Sequence, residues 1–211
     1  MDNVLESYIL SHIDAEPPLL QSIYRKAHVK LLHPRMVAGH WQGRLLKMLV
    51  QMMQAKNVLE IGAFTGYSAL CLAEGIAEEG KVHTIEIDDE LEEFIRKNID
   101  TSEHKNKIEL HVGDALEIVP TFEDNFFDAA FIDGDKRHYW DFFETVLPKV
   151  KTNGFLLVDN TLWNNKVLAK PASNDWQTKG IIDFNDRLAN DTRVEKVIIP
   201  IRDGLTLIRK K

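Results

Sequence analysis

The stretch that decides the fold is NVLEIGAFTGYS, residues 57–68. It has the pattern of a short buried strand, a turn carrying Gly62, and the start of a helix. Glycine at this place lets the backbone turn sharply and lets a ligand lie close against it. A glycine turn alone is also an ordinary strand-to-helix connection, so its meaning depends on the residues around it.

Short β-rich runs alternate with helical patterns from residue 57 onward. The runs are Asn57–Ile61, Lys81–Ile87, Lys107–Val112, Phe127–Asp133 and Gly154–Asp159. This alternation is typical of parallel strands joined by right-handed helical crossovers, so it predicts an α/β, doubly wound, Rossmann-like sheet with helices on both faces. Any ligand is then expected at the carboxyl ends of the strands.

The carboxyl-terminal part of the chain has a different pattern. The runs Arg193–Ile199 and Leu205–Arg209 are strand-like, and the stretch between them ends in the turn signal Asp203-Gly204. Two closing antiparallel strands are predicted.

The region before residue 56 has a helical pattern. Trp41, Leu45, Met48, Leu49 and Met52 recur at 3.6-residue spacing, which predicts an amphipathic helix whose stripe lies in the core. At 211 residues the chain is long enough for one domain with a sizeable core. We therefore predict a single domain over 1–211, with a helical segment at 1–55 and a Rossmann-like core at 56–211.

Composition narrows the class of protein. With 26 Lys+Arg against 33 Asp+Glu, the net charge is −7, so no global positive field exists to attract nucleic acid or an anionic membrane. Cys71 is the single cysteine, and the amino terminus has no basic stretch leading into an apolar core. No apolar run approaches the roughly 20 residues of a membrane span. A cytoplasmic protein is expected.

The glycine turn favours one kind of nucleoside cofactor. A dinucleotide fingerprint needs glycines at 62, 64 and 67, whereas Phe64 and Tyr67 occupy two of these places. NAD is thus disfavoured, and S-adenosylmethionine is the expected ligand. Glu60 ends the first strand, and Glu86 ends the second, where its carboxylate can accept hydrogen bonds from both ribose hydroxyls. Gly113-Asp114-Ala115, after the third strand, offers an edge for the adenine ring.

Oxygen-bearing side chains follow the next two strands. Asp133 ends the fourth, and Asp159 and Asn160 end the fifth. Such a set suits a hard divalent cation, Mg²⁺, Ca²⁺ or Mn²⁺, which can bind vicinal substrate oxygens and lower the pKa of one hydroxyl. Each residue alone is as well explained as a helix cap or turn former. Lys136 is either a general base for the same hydroxyl or a surface lysine at a helix start.

With these residues assembled, the chain resembles the cation-dependent class I O-methyltransferases, which include the caffeoyl-coenzyme A and catechol enzymes. The resemblance runs from about Leu31 to the carboxyl terminus. It rests on EIGAFTGYS (60–68), FIDGDK (131–136), VDNTLWN (158–164), FN (184–185) and PIRDGLT (200–206). Arg202 departs from the family's pattern, in which a small residue is common immediately before the Asp-Gly found here at 203–204.

The resemblance implies a seven-stranded sheet and a set of site residues. Asp133, Asp159 and Asn160 match the metal ligands, with Asp133 also near the methionine part of the donor. The donor-binding set it implies is Ala38, Glu60, Gly62, Ala63, Ser68, Glu86, Ala115 and Asp135. Lys136 matches the lysine proposed as base, and Asn164 falls where plant enzymes contact substrate.

Three functions follow from this resemblance and from the residues. The first is an O-methyltransferase acting on a small molecule with vicinal hydroxyls, such as a catechol or a caffeoyl-type ester, and working as a homodimer. A second is methylation of a hydroxylated uridine at a tRNA wobble position, which the acidic net charge weighs against. A third is a non-catalytic nucleotide-binding module, which gives no reason for Asp133, Asp159, Asn160 and Lys136 to occur together.

Overall fold

The structure, a computed structural model, describes residues 3–211. The helices are α1 (Asn3–Leu10), α2 (Pro18–Lys30), α3 (Gly39–Met52), α4 (Tyr67–Gly75), α5 (Glu92–Asp100), α6 (Ala115–Ile118), α7 (Tyr139–Val146) and α8 (Trp176–Asn190). The strands are β1 (Asn57–Ile61), β2 (Lys81–Glu86), β3 (Ile108–Val112), β4 (Phe127–Ile132), β5 (Val150–Val158), β6 (Val194–Ile199) and β7 (Leu205–Lys210). The segment before β1 is helical, as its pattern indicates.

The strands form one 7-stranded sheet in the order β3-β2-β1-β4-β5-β7-β6. Strands β1 to β5 pair in parallel, whereas β7 runs antiparallel to both β5 and β6. The predicted doubly wound sheet with a closing hairpin is confirmed. Strand order reverses between β1 and β4, and at such a switch point the diverging loops leave a crevice for a ligand.

Both faces of the sheet are covered by helices. On one face, Phe142 and Phe143 of α7 and Ile181 and Phe184 of α8 join the strand residues in a buried cluster. On the other, Leu46 and Val50 of α3 pack with residues of α4. Burying both faces explains why the parallel strands have near-continuous apolar runs rather than alternation.

The predicted core stripe of α3 is wrong at two of its positions. Met48 and Met52 are exposed, whereas Leu46 and Val50 are fully buried. Leu45 and Leu49 pack at the edge of the cluster. The buried face of the helix is therefore rotated toward Leu46 and Val50, because α3 packs against α4 as well as the sheet.

Strand β5 begins earlier than its sequence pattern suggests. The prediction started it at Gly154, yet the strand extends back to Val150 and includes the turn-favouring residues Asn153 and Gly154. The pairing with β4 shifts register between Phe127 and Ala129, and Asn153 has φ of 65°. The turn-like residues thus form an irregularity inside the strand instead of a loop before it.

In the described part of the chain, every helix is too short or too polar to cross a bilayer.

Candidate active site

The predicted acidic residues meet at one rim of the sheet. Ile132 of β4 lies between Ile61 of β1 and Val158 of β5 in the parallel register. The Asp133 amide donates to the Ile61 carbonyl at 2.9 Å, and the Asp159 amide donates to the Ile132 carbonyl at 3.0 Å. These bonds continue the sheet by one residue, so both aspartates leave its carboxyl edge side by side.

The glycine turn after β1 presses against the same rim. Gly62 has φ of 99°, and a Cβ built there would lie 2.6 Å from the Asp133 carbonyl oxygen. Only glycine fits this close approach. Gly66, at φ of 77°, then starts α4. The buried Ala63 and Ser68 belong to this turn and helix start. We call residues 62–66, the turn predicted to bind the methyl donor, the donor loop. The backbone of this loop therefore lies against the predicted metal ligand Asp133.

Glu86 closes the donor loop from the neighbouring strand. Its Oε2 accepts a hydrogen bond from the Phe64 amide at 2.7 Å, and its Oε1 accepts one from the Asp88 amide at 3.0 Å. Each carboxylate oxygen still has a lone pair for a further donor. The side chain is buried except for 7% of its surface. Both oxygens are therefore fixed in place and can accept further hydrogen bonds.

Glu60 lies beneath the loop and is fully buried. Thr84 Oγ1 donates to its Oε2 at 2.5 Å, while its Oε1 has no partner among the described residues. Burial raises the pKa of this carboxyl to about 8; the Ser68 and Thr84 hydroxyls oppose the shift, and the charges of Asp133 and Glu86 add to it. Glu60 therefore holds a proton at neutral pH and supports the loop from below.

This buried carboxyl predicts a pH-dependent stability. An ordinary glutamate has lost its proton by pH 6.5, whereas Glu60 in the folded protein keeps its proton to about 8. The folded state then holds the extra proton, so stability decreases as pH rises through this window. Between pH 6.5 and 9 we expect a loss of about 2 kcal/mol in unfolding free energy, or about 4–8 °C in melting temperature.

The measurement is thermal unfolding of the donor-free protein across that pH range, beside Glu60→Gln. The glutamine cannot ionise, so its melting temperature should fall less with pH than that of the unmodified protein. All other titrating groups are common to both proteins. Parallel curves for the two would contradict the assignment of the buried proton to Glu60.

The predicted adenine edge follows β3. Gly113 has φ of 145°, and its amide donates to the Glu86 carbonyl at 2.8 Å. Asp114 caps α6 by accepting the Leu116 amide at 2.8 Å, and Ala115 is buried at the first turn of that helix. The cap and the small side chain leave a short, rigid turn beside Glu86.

Asp159 is the more deeply buried of the two aspartates at this rim. It is 3% exposed, and its Oδ1 has no hydrogen-bond partner among residues 3–211. Burial, and next the charge of Asp133, raise its pKa to about 6, against the opposing influence of Gln42, Lys136 and Arg202. A buried carboxylate oxygen without a partner costs free energy, which a bound cation would offset.

Lys136 contacts Asp133, one of the two aspartates (Asp133 and Asp159) that form the acidic pair of this rim. Its Nζ donates to Asp133 Oδ1 at 2.5 Å and lies 5.2 Å from the centre of the Tyr139 ring. Burial alone would lower the pKa of this ammonium, but the nearby Asp133 carboxylate outweighs it, and the pKa is raised above its usual value. Lys136 is thus a buried cation at the site rather than a surface lysine.

Three other predicted residues border the same rim. Asp135 accepts the Arg137 amide at 3.0 Å and pairs with the Arg137 guanidinium, which lowers its pKa. Asn160 is half-buried with φ of 58°, and its carbonyl accepts the Trp163 amide at 3.0 Å. Ala38 is buried at the start of α3. Asp135 and Asn160 are therefore held by local structure at the edge of the site.

Asn164 lies farther out, on the loop after β5. It is exposed, and Trp163, Asn164 and Asn165 all have positive φ angles, a conformation that asparagine tolerates better than most residues. The Leu162 and Trp163 amides both donate to the Asp203 carbonyl, at 2.8 and 3.1 Å. This loop is therefore fastened to the hairpin between β6 and β7.

Sequence reasoning missed the polar residues behind Asp159. Gln42 of α3 is 1% exposed and accepts a hydrogen bond from Arg202 Nη1 at 2.9 Å. Arg202 also donates to the Val37 carbonyl at 3.3 Å, next to Ala38. The Tyr139 hydroxyl donates to the Asp159 carbonyl at 3.0 Å. Arg202 was visible in the sequence as a departure from the family pattern, whereas Gln42 had no signal of its own.

The fold and this rim are those of a class I methyltransferase, and comparisons with known proteins agree. Residues 11–211 match the model of a family described as O-methyltransferase. Caffeoyl-CoA O-methyltransferase 5 of Nicotiana tabacum is 31% identical over 220 residues, which cover 99% of this chain and 91% of the tobacco protein.

Solved structures give the same result. The O-methyltransferase TomG from Streptomyces achromogenes, solved with S-adenosylmethionine, has 28% identity and a TM-score of 0.90, covering 99% of this chain and 96% of TomG. An O-methyltransferase from Bacillus cereus, solved with S-adenosylhomocysteine, has 27% identity and a TM-score of 0.89, covering 99% of this chain and 97% of that one.

The chain belongs to this O-methyltransferase family and is an S-adenosylmethionine-dependent O-methyltransferase. The resemblance inferred from the sequence motifs is confirmed.

Proposed function

We propose that this enzyme methylates one hydroxyl of a vicinal pair on a catechol-like or caffeoyl-type small molecule, and that it requires a divalent cation, most simply Mg²⁺, held by Asp133, Asp159 and Asn160. The observation that carries the proposal is the buried Asp159 with its unpartnered Oδ1, side by side with Asp133. Two carboxylates and an amide oxygen at one rim suit a hard cation, and the adjoining positions stay free for substrate oxygens.

The donor is proposed to lie across the carboxyl ends of β1, β2 and β3. Glu86 accepts hydrogen bonds from its ribose hydroxyls, while Gly62 and Ala63 let the backbone approach it closely. Glu60 and Ser68 support the loop from below, and Ala115 borders the adenine. Asp133, Asp135 and Ala38 border the methionine part. This placement brings the sulfonium methyl toward the acidic pair, because Gly62 contacts Asp133.

The acceptor is proposed to enter beside Lys136, with Asn164 at its outer end. A phenol of pKa near ~10 is almost wholly protonated at neutral pH, and a bound dication would lower that pKa and orient the oxyanion. Lys136, held as a cation beside Asp133, supplies a further positive charge beside the developing oxyanion. The base role predicted from the sequence needs a neutral amine, which the raised pKa of this ammonium disfavours. Tyr139 holds the backbone of Asp159 in place, and Gln42 and Arg202, bonded to each other, oppose the rise in the pKa of its carboxyl, so these residues are in place around the rim before substrate binds.

The caffeoyl-type acceptor is supported by the curated relatives. The tobacco protein is a caffeoyl-CoA O-methyltransferase, and so is the relative numbered 2 from Populus trichocarpa, at 36% identity over 180 residues. TomG, in contrast, is involved in tomaymycin synthesis. O-methyltransferases of comparable similarity to this chain thus serve different syntheses, so the assay below offers several classes of acceptor.

The test of this function is methyl transfer from labelled S-adenosylmethionine. Catechols, caffeoyl esters and single-hydroxyl analogues are offered, beside unmodified and hydroxylated tRNA, with Mg²⁺ and after exhaustive chelation followed by Mg²⁺, Mn²⁺ or Ca²⁺. We expect turnover of vicinal-hydroxyl small molecules that disappears in chelator and returns with metal. Full activity in chelator would refute the metal requirement, and salt-dependent methylation of tRNA alone would favour the nucleic-acid substrate.

Glu86 provides a separate test of the donor site. Glu86→Ala removes the acceptor of the ribose hydroxyls and of the Phe64 amide, so we expect affinity for S-adenosylmethionine to fall by about 10–100-fold. Titration calorimetry gives the affinity, and NAD serves as the ligand expected not to bind. Glu90→Gln, an exposed neighbour, is the control. Unchanged affinity in Glu86→Ala would remove this residue from the site.

We also propose a homodimer that uses the amino-terminal helices. Leu32, Met36, Met48 and Met52 expose most of their side chains on or near α2 and α3. Apolar surface of this kind is often buried between subunits. Light scattering should give twice the chain mass of 24.2 kDa, and a concentration-independent monomer mass would refute the dimer.

A reducing cytoplasm is the compartment that we propose, supported by the single cysteine, Cys71, which is buried as a free thiol. Fractionation of cells that express the protein tests this location.

A further inference from the structure

A second polar cluster lies at the edge of the sheet, away from the acidic rim. His83 of β2 pairs with Glu109 of β3 in the strand register, and His111 is two residues farther along β3. Because side chains two residues apart share a face of a strand, all of these project to the same side. Their ligand atoms lie within 4.8 Å of one another. The donor and acceptor sites described above use none of these side chains.

The distances within this cluster match those of a chelate. His83 Nδ1 lies 3.2 Å from His111 Nε2 and 3.7 Å from Glu109 Oε2, and His111 Nε2 lies 3.8 Å from Glu109 Oε1. Ligand atoms at 2.0–2.1 Å from a tetrahedral zinc ion are about 3.3–3.4 Å apart. Small rotations of these side chains thus suffice to place all their ligand atoms at bonding distance of one ion.

The two imidazoles are held in position by aromatic packing. The His83 ring is in edge contact with Phe122 and Phe127, at centroid distances of 5.1 and 5.7 Å, and the His111 ring with Phe122 at 5.7 Å. His83 is 8% exposed, whereas the Glu109 side chain is 56% exposed. One side of the cluster is therefore rigid and dry, and the other is open for an ion to enter.

We propose that His83, His111 and Glu109 bind a divalent transition metal, with Zn²⁺ the best fit, and that water completes the coordination. Two imidazoles and one carboxylate favour Zn²⁺ over Mg²⁺, in contrast to the oxygen ligands of the acidic rim. The ion links β2 to β3, which is the outermost strand on that side of the sheet. Its role is to stabilise this edge, so it is separate from the metal proposed for methyl transfer.

Calorimetric titration with Zn²⁺, in millimolar Mg²⁺, tests the site. We expect one equivalent to bind to the unmodified protein and to Asp159→Asn, which lacks one of the two carboxylates of the acidic rim. Glu109→Gln and His111→Gln should each weaken binding at least tenfold. His104→Gln is the matched control, because His104 Nε2 lies 3.9 Å from Glu103 Oε1, a histidine–glutamate pair outside the cluster.

Two further measurements on the unmodified protein require no activity assay. Zn²⁺ at a hundredfold excess over its dissociation constant should raise the melting temperature by about 5–10 °C. Co²⁺ should bind with the visible absorption of a tetrahedral site. The proposal is overturned if the unmodified protein binds no Zn²⁺ in Mg²⁺, or if Glu109→Gln and His111→Gln bind it as tightly as the unmodified protein.

Discussion

Asp159→Asn is expected to lower kcat/KM by about 10²–10⁴ while leaving affinity for S-adenosylmethionine nearly unchanged. The amide has the shape of the carboxylate but lacks the charge that would hold a cation beside Asp133. The residue follows β5, which β4 separates from β1, β2 and the donor loop. Initial rates and donor titration give the two quantities separately.

Stability gives the control for this variant. Asp159 is buried with an unpartnered oxygen, so an uncharged replacement should leave the melting temperature of the metal-free protein unchanged or raise it. Asp186→Asn, at an exposed position of α8, should match the unmodified enzyme in rate. An Asp159→Asn enzyme with normal rates would leave this residue with a role in the fold alone.

Lys136→Met is the second substitution with a large expected effect. It removes the buried ammonium that contacts Asp133, so we expect kcat/KM to fall by about 10²–10⁴, the usual range for a positioned acid or base. Lys97→Met, at an exposed position of α5, is the control. A Lys136→Met rate within tenfold of the unmodified enzyme would exclude both roles of this residue.

Lys136→Arg separates proton acceptance from charge. Arginine keeps a positive charge but does not give up its proton near neutral pH. If Lys136 accepts the substrate proton, Lys136→Arg should be as inactive as Lys136→Met and should lose one ionisation from the pH–rate profile. Retained activity in the arginine variant would instead identify a positioning charge.

The fold could be predicted from local pattern because each parallel strand is a short apolar run that ends at a polar residue. Asp133 and Asp159 were placed together for the same reason, since adjacent strands end at the same rim. The extent of β5 could not be predicted, because Asn153 and Gly154 have turn chemistry that pairing with β4 overrides. The exposure of Met48 and Met52 depends on how α3 packs, which periodicity alone does not specify.

The residues that surround the acidic rim could be predicted less well from the sequence. Glu60 was predicted as a donor-site residue, but its raised pKa depends on its complete burial and on the nearby charges of Asp133 and Glu86, which come from other elements. Gln42 and Arg202 are 160 positions apart, and neither is part of a chemical motif that brings them together. The edge cluster of His83, Glu109 and His111 was missed because its members come from different strands at spacings that match no metal-binding motif.

The bond between Arg202 and the Val37 carbonyl joins positions 165 residues apart, and β7 pairs with β5 only after the hairpin is complete. Strands β1 to β5 and the donor loop all precede residue 159, whereas Arg202 follows β6. The bond between Gln42 and Arg202 therefore needs a segment that the ribosome adds after β6. Folding during translation would thus assemble the half of the site proposed to bind the nucleoside before the half proposed to bind the acceptor.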